Sequence, residues 1–133
     1  MNAIFADTSY YLALLNPADI DHGQAVRIGG ALRNQIVTTD FVLTEVGNTL
    51  SRVPVRPAFV CFMADMRADP RTTIIPATRG LLDEGFNLFT QRPDKNWSLT
   101  DCVSFVVMEQ HRLTEALTAD HHFEQAGFNI LLR

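Results

Sequence analysis

Apolar and polar positions along the chain fall into two alternating kinds of segment. Short apolar or β-branched runs read as strands, and longer stretches between them carry an apolar face at helical spacing. Asn2–Ala6 reads as a short strand. Thr8–Asn16, containing YYLALL, reads as a helix stopped by Asn16-Pro17. His22–Asn34 is a second helix, weakened by Gly29-Gly30, each costing about 1 kcal/mol against alanine. Ile36–Thr38 is a strand, followed by a helix over Asp40–Arg52 capped by Thr39 or Asp40. Pro57–Ala68 is a helix with proline in its first turn, where the missing N–H costs little. Thr72–Ile75 is a β-branched strand ending at Pro76, and Thr78–Thr90 is a helix. Leu99–Arg112 is a helix whose middle, CVSFVVM, is apolar on all sides and therefore expected to be buried. Ala116–Thr118 (strand), His121–Ala126 (short helix closed by Gly127) and Phe128–Leu132 (strand) complete the series.

Strands separated by helices imply an α/β fold: a parallel sheet with helices on both faces. Such folds gather function at the carboxyl ends of their strands. The 133 residues suffice for one domain, spanning 1–133, with no repeat, low-complexity tract or linker. A composition 47% hydrophobic and 20% charged is that of a globular chain. No apolar run reaches the roughly 18 residues of a membrane span. The opening MNAIFADTSYY has no basic region, so no secretory signal is expected. Cys61 and Cys102 lack CxxC spacing, which argues against a disulfide framework or cysteine zinc site and fits the reducing cytoplasm. Both read as core thiols.

A net charge of −4 at first argues against nucleic acid. Its distribution changes that picture. Arg52, Arg56, Arg67, Arg71 and Arg79 share a stretch holding only Asp65 and Asp69 as acids. If four acids elsewhere bind a divalent cation, 11 acids are left to balance 11 basic side chains. The acidity would then belong to a site.

Four carboxylates suggest that site. Asp7 follows the first strand and Asp120 follows Ala116–Thr118. Either is also a good helix N-cap. Asp101 has capping-box spacing to Ser98, yet it opens the most apolar helix, where an acid is costly without compensation. Only Arg92 or Lys95 could fold back to supply it. Glu45 borders the apolar face formed by Val42, Leu43, Val46 and Leu50, and it has no i,i+4 ion pair. Clustered carboxylates oppose one another's ionisation, so a group kept ionised calls for a cation. Oxygen-only ligands suit Mg²⁺ or Mn²⁺, and the matching reaction class is phosphodiester hydrolysis.

Four segments resemble PIN-domain nucleases, most closely the bacterial VapC-type toxins. They are FADTSYYLALL, TTDFVLTEVGNTL, SLTDCVSFVVM and ALTADHHFEQAGF, in order over nearly the whole chain, and they carry Asp7, Glu45, Asp101 and Asp120. The resemblance implies a five-stranded parallel sheet with flanking helices. It further implies Mg²⁺ or Mn²⁺ among those four acids, endoribonuclease activity on RNA, a homodimer, and a cognate antitoxin. In that frame the four acids are metal ligands, direct or through water, and Asp101 or Asp120 would orient or deprotonate the attacking water. Thr8, Ser9 and Thr118 would hydrogen-bond the carboxylates or the substrate phosphate. Arg52 and Arg56, just after the Glu45 helix, are candidate RNA contacts, because guanidinium forks suit phosphate.

Other features read as structural. With carboxylate partners the site looks hard, so His121 and His122 are not expected as ligands; His122 reads as a packing or hydrogen-bonding residue near the pocket. Trp97 reads as a hydrophobic staple against the Asp101 helix. Phe59, Val60, Phe62 and Met63 form either core or a dimer or antitoxin surface. Two other phosphoryl chemistries fit poorly: a receiver needs an acid pair after its first strand, and a haloacid dehalogenase-type phosphatase needs DxD where this chain has Asp7-Thr8-Ser9. A non-catalytic RNA- or protein-binding scaffold of the same fold is the remaining alternative, and the presence of all four acids disfavours it.

Overall fold

The computed structural model describes residues 1–132. Its elements are β1 (Ile4–Ala6), α1 (Thr8–Leu15), α2 (His22–Ala31), β2 (Ile36–Thr39), α3 (Asp40–Thr49), α4 (Arg56–Ala68), β3 (Thr72–Ile75), α5 (Arg79–Gln91), α6 (Leu99–Gln110), β4 (Glu115–Leu117), α7 (His121–Gln125) and β5 (Asn129–Ile130). The five strands form one sheet in the order β3-β2-β1-β4-β5, and every adjacent pair is parallel. All three residues of β1 are buried, so both faces of the central strand are covered. That is the arrangement the strand–helix alternation predicts. No helix of the described residues is long and apolar enough to cross a membrane.

The ends of several elements differ from the sequence expectation by a few residues, as fraying termini do. One difference has a clear cause. Helix α3 stops at Thr49, and a short 3-10 turn, Val53–Val55, intervenes before α4. Pro54 lies in that turn; it has no N–H to continue an α-helix and disfavours helical geometry at Val53.

Two aromatic groups anchor the layers. Phe105 of α6 packs edge-on against Trp97 and Phe123, with ring centroids 5.0 and 4.9 Å apart, and Phe123 lies 6.2 Å from Phe5 of β1. Tyr11 of α1 meets Phe62 of α4 at 5.1 Å. Helix α6 is buried at seven of its twelve positions, as its apolar circumference implies. It sits against α5 closely enough that a Cβ at Gly85 would meet Val103 Cγ2 and lie 3.1 Å from the Val103 backbone.

One expectation fails. Cys61 is exposed, because α4 turns Phe62 and Met66 inward at i,i+4 spacing and leaves position 61 on the solvent side. Cys102 is buried as expected. Trp97 is buried; it packs on Phe105, two turns into α6, and its indole N–H donates to Gln125 Oε1 at 3.0 Å. It therefore packs against the helix it precedes, as expected, and also joins α6 to α7.

Candidate metal centre

Strand order reverses direction beside β1: β2 lies on one side and β4 on the other. Crevices at such switch points, outside the carboxyl ends of strands, are where open parallel sheets hold ligands. Asp7 directly follows β1, and Asp120 follows β4 after Thr118 and Ala119. Their placement is therefore a consequence of topology.

Asp7 occupies the N-cap position of α1, but its side chain makes no capping bond. The residue is 4% exposed. Thr118 Oγ1 donates to Asp7 Oδ2 at 2.9 Å, and Ser9 Oγ lies 3.4 Å from the same oxygen. Ser9 and Thr118 are also hydrogen-bonded to each other at 2.9 Å. The Thr118 hydroxyl accepts from Asp120 N at 3.0 Å, and Ser9 Oγ accepts from Ala119 N at 3.2 Å. This hydroxyl pair clamps the loop after β4 onto the loop after β1. Burial pushes the Asp7 carboxyl from 3.8 up to about 7; the Thr118 and Thr8 hydrogen bonds offset part of that, while Asp101 and Asp120 push it further up.

Asp101 forms the capping box foreseen from Ser98: its backbone N–H donates to Ser98 Oγ at 2.9 Å, and its Oδ2 accepts from Ser98 N at 3.1 Å. That cap faces its carboxylate toward α7. His122 Nδ1 lies 3.0 Å from Asp101 Oδ2 and 3.4 Å from Asp120 Oδ1. Burial raises the Asp101 pKa, opposed by the bonds from His122 and Ser98. The compensating group is thus a histidine. Arg92 pairs instead with Asp94 and covers the Trp97 ring. Asp120 also serves as the α7 N-cap, accepting from His122 N at 2.9 Å.

One donor atom from each of Asp101, Asp120 and His122 falls within 4.8 Å of the others. Asp7 faces the same two acids electrostatically, as the causes of its shift show. Glu45 is half-buried on α3 and accepts at Oε1 from the Thr8 hydroxyl at 2.6 Å; neither Glu45 nor Asp7 belongs to the three-residue cluster among the described residues. Thr8, Ser9 and Thr118 therefore bond carboxylates. Arg52 and Arg56 make no ion pair with the four acids. Arg52 is exposed, and Arg56 donates to Ser51 O and borders a groove between α3 and α4. Among the described residues no lysine or arginine pairs with any of the four carboxylates. A part-buried, cation-poor set of hard oxygen donors with one imidazole fits a divalent metal ion. His122 is the neighbour that the sequence reading left outside the ligand set; its position two residues after Asp120 on the same helix start was the available signal.

A parallel sheet with acids collected at its switch point is the architecture of the PIN domain. The profile of that family matches residues 4–129, and the chain belongs to it. Over 125 residues it is 30% identical to the 23S rRNA-specific endonuclease VapC20 of Mycobacterium tuberculosis, an alignment covering 94% of this chain and 95% of that protein. The crystal structure of Mycobacterium tuberculosis VapC20, described as a sarcin-ricin loop cleaving toxin, superposes with a TM-score of 0.89 at 28% identity, covering 98% of this chain and 99% of that one. FitAcB of Neisseria gonorrhoeae, at a TM-score of 0.70 and 15% identity over 96% of both chains, shares the fold.

Proposed function

We propose that this protein is a metal-dependent endoribonuclease acting as the toxin of a toxin–antitoxin pair. The carrying observation is the convergence of Asp101 and Asp120 beside buried Asp7, with no lysine or arginine paired to them among the described residues. The endonuclease and toxin descriptions of the VapC20 relative support the same reading.

Asp7, Asp101 and Asp120 would hold Mg²⁺ or Mn²⁺, with Glu45 directly or through water. When bound, that ion supplies Lewis acidity that offsets the charge developing in phosphodiester displacement. The chain's own contribution is placement. Thr118, just after β4, and Ser9, on α1, fix Asp7 Oδ2. Thr8 fixes Glu45 across the crevice. Asp101 or Asp120 orients the attacking water and accepts its proton at a carboxylate oxygen. Arg52 and Arg56 supply phosphate contacts as the RNA extends past α3.

The same reading calls for protein partners: a cognate antitoxin that restrains the activity and a second copy forming a homodimer. The surface supporting this is the outer face of α4, where Val60 is 66% exposed beside a groove of about 600 Å³ floored by Leu43, Phe59 and Met63. Light scattering on the purified chain reads the dimer directly.

The decisive experiment incubates the protein with single-stranded RNA and a 23S rRNA hairpin in Mg²⁺ or Mn²⁺. Cleavage stopped by EDTA and lost in Asp101→Asn is the expected result. Undiminished cleavage by Asp7→Asn and Asp101→Asn would overturn the proposal.

A further inference from the structure

The metal centre contains one group that a four-carboxylate site does not need. We propose that His122 is a direct nitrogen ligand, through Nδ1, of the ion held by Asp101 and Asp120, and that it biases the site toward Mn²⁺ over Mg²⁺. This rests on the metal-centre reading above and deepens it.

Nδ1 is hydrogen-bonded to Asp101 Oδ2, and its spacing to the two acids is also that of adjacent ligands around one ion, which would take the place of the shared proton. Nδ1 stands 3.0 Å from Asp101 Oδ2 and 3.4 Å from Asp120 Oδ1. Neighbouring ligands of an octahedral ion with bonds of about 2.1 Å are themselves about 3 Å apart. All three donor atoms lie within 4.8 Å of one another, so one ion can reach them together. The imidazole is held there by construction. His122 N is bonded to Asp120 Oδ1 at 2.9 Å, and the next residue, Phe123, is fully buried against Phe5 and Phe105. His121, one position earlier, is exposed and pairs with Glu124 at 2.6 Å, outside the cluster. Two adjacent histidines thus have opposite environments, and one is aimed at the acids.

The donor type sets the preference. Mg²⁺ favours oxygen ligands and retains its waters, whereas imidazole suits the transition metals, so a nitrogen donor helps Mn²⁺ more than Mg²⁺. To ligate, Nδ1 must present its lone pair, and the ring proton then resides on Nε2. The His122 side chain is 30% exposed.

The test uses the full chain stripped of metal and reloaded with Mn²⁺ alone. Pulsed electron paramagnetic resonance should show ¹⁴N modulation from a bound imidazole. That modulation should vanish in protein carrying ¹⁵N-histidine, a control that needs no mutation, and in His122→Gln, while His121→Gln keeps it. In titrations, His122→Gln should weaken Mn²⁺ about tenfold and change Mg²⁺ by less than about threefold. Bound Mn²⁺ without ¹⁴N modulation, or an equal loss of both ions, overturns the ligand role and leaves the carboxylate site standing. Failure of the wild-type chain to bind Mn²⁺, or binding untouched by Asp101→Asn, overturns the metal centre and the His122 proposal with it.

Discussion

Replacing Asp7 by asparagine tests whether this crevice stores unbalanced negative charge for a metal. Asp7 is buried, and its carboxyl is raised from 3.8 to about 7, burial being the main cause. A folded-state value above the unfolded one means the native state binds the proton more tightly. Below about pH 4 both states are protonated and the group is neutral toward stability. Between about pH 4 and 7 the unfolded chain ionises while the folded state keeps its proton, so stability falls steadily, and above that range the metal-free fold carries the full cost of a buried carboxylate. Moving from 3.8 to about 7 corresponds to about 4 kcal/mol. Asparagine cannot accept from Thr118 and Thr8 as strongly as a carboxylate, so a net gain of about 2 kcal/mol is expected at pH 8 in EDTA. For a domain of this size that raises Tm by about 6–10 °C. Thermal melts of both proteins from pH 4.5 to 8 should show the curves diverging as pH rises. Saturating Mn²⁺ should stabilise the wild type and reverse the order. A Tm difference that does not change with pH, or a variant less stable than wild type at pH 8 without metal, would refute the charge-storage argument.

Three further outcomes are expected. Thr8→Val removes the hydroxyl that holds Glu45 at 2.6 Å, so RNA cleavage should fall about tenfold with the melting curve nearly unchanged, and full activity would detach Glu45 from the site. Gly85→Ala gains helix propensity but drives a Cβ into Val103 where α5 meets α6; the clash should win, lowering stability by about 1–3 kcal/mol in urea denaturation. Arg52→Ala with Arg56→Ala should weaken RNA binding and flatten its dependence on salt, and an unchanged slope would clear both of phosphate contact.

The order and kind of the elements were legible because helix and strand periods, proline stops and caps are set by near neighbours along the chain. The Asp101–Ser98 capping box formed as its spacing requires, and the apolar circumference of α6 announced its burial. Asp7, Asp101 and Asp120 were legible by their positions after strands or at a helix start, Glu45 by the apolar helix face it borders, and all four by resemblance. Their grouping was expected only from the resemblance, because contacts between residues far apart in sequence leave no local period. Thr118 reaches Asp7 across 111 positions, and Thr8 reaches Glu45 across 37. Only the switch in strand order beside β1 brings those ends together. His122 shows the same division: the sequence places it beside Asp120, but the packing of α7 against α6 decides that its ring, and not that of His121, meets Asp101. Whether α4 would turn Cys61 inward was likewise open, because a helix fixes which residues share a face but not which face the rest of the molecule covers.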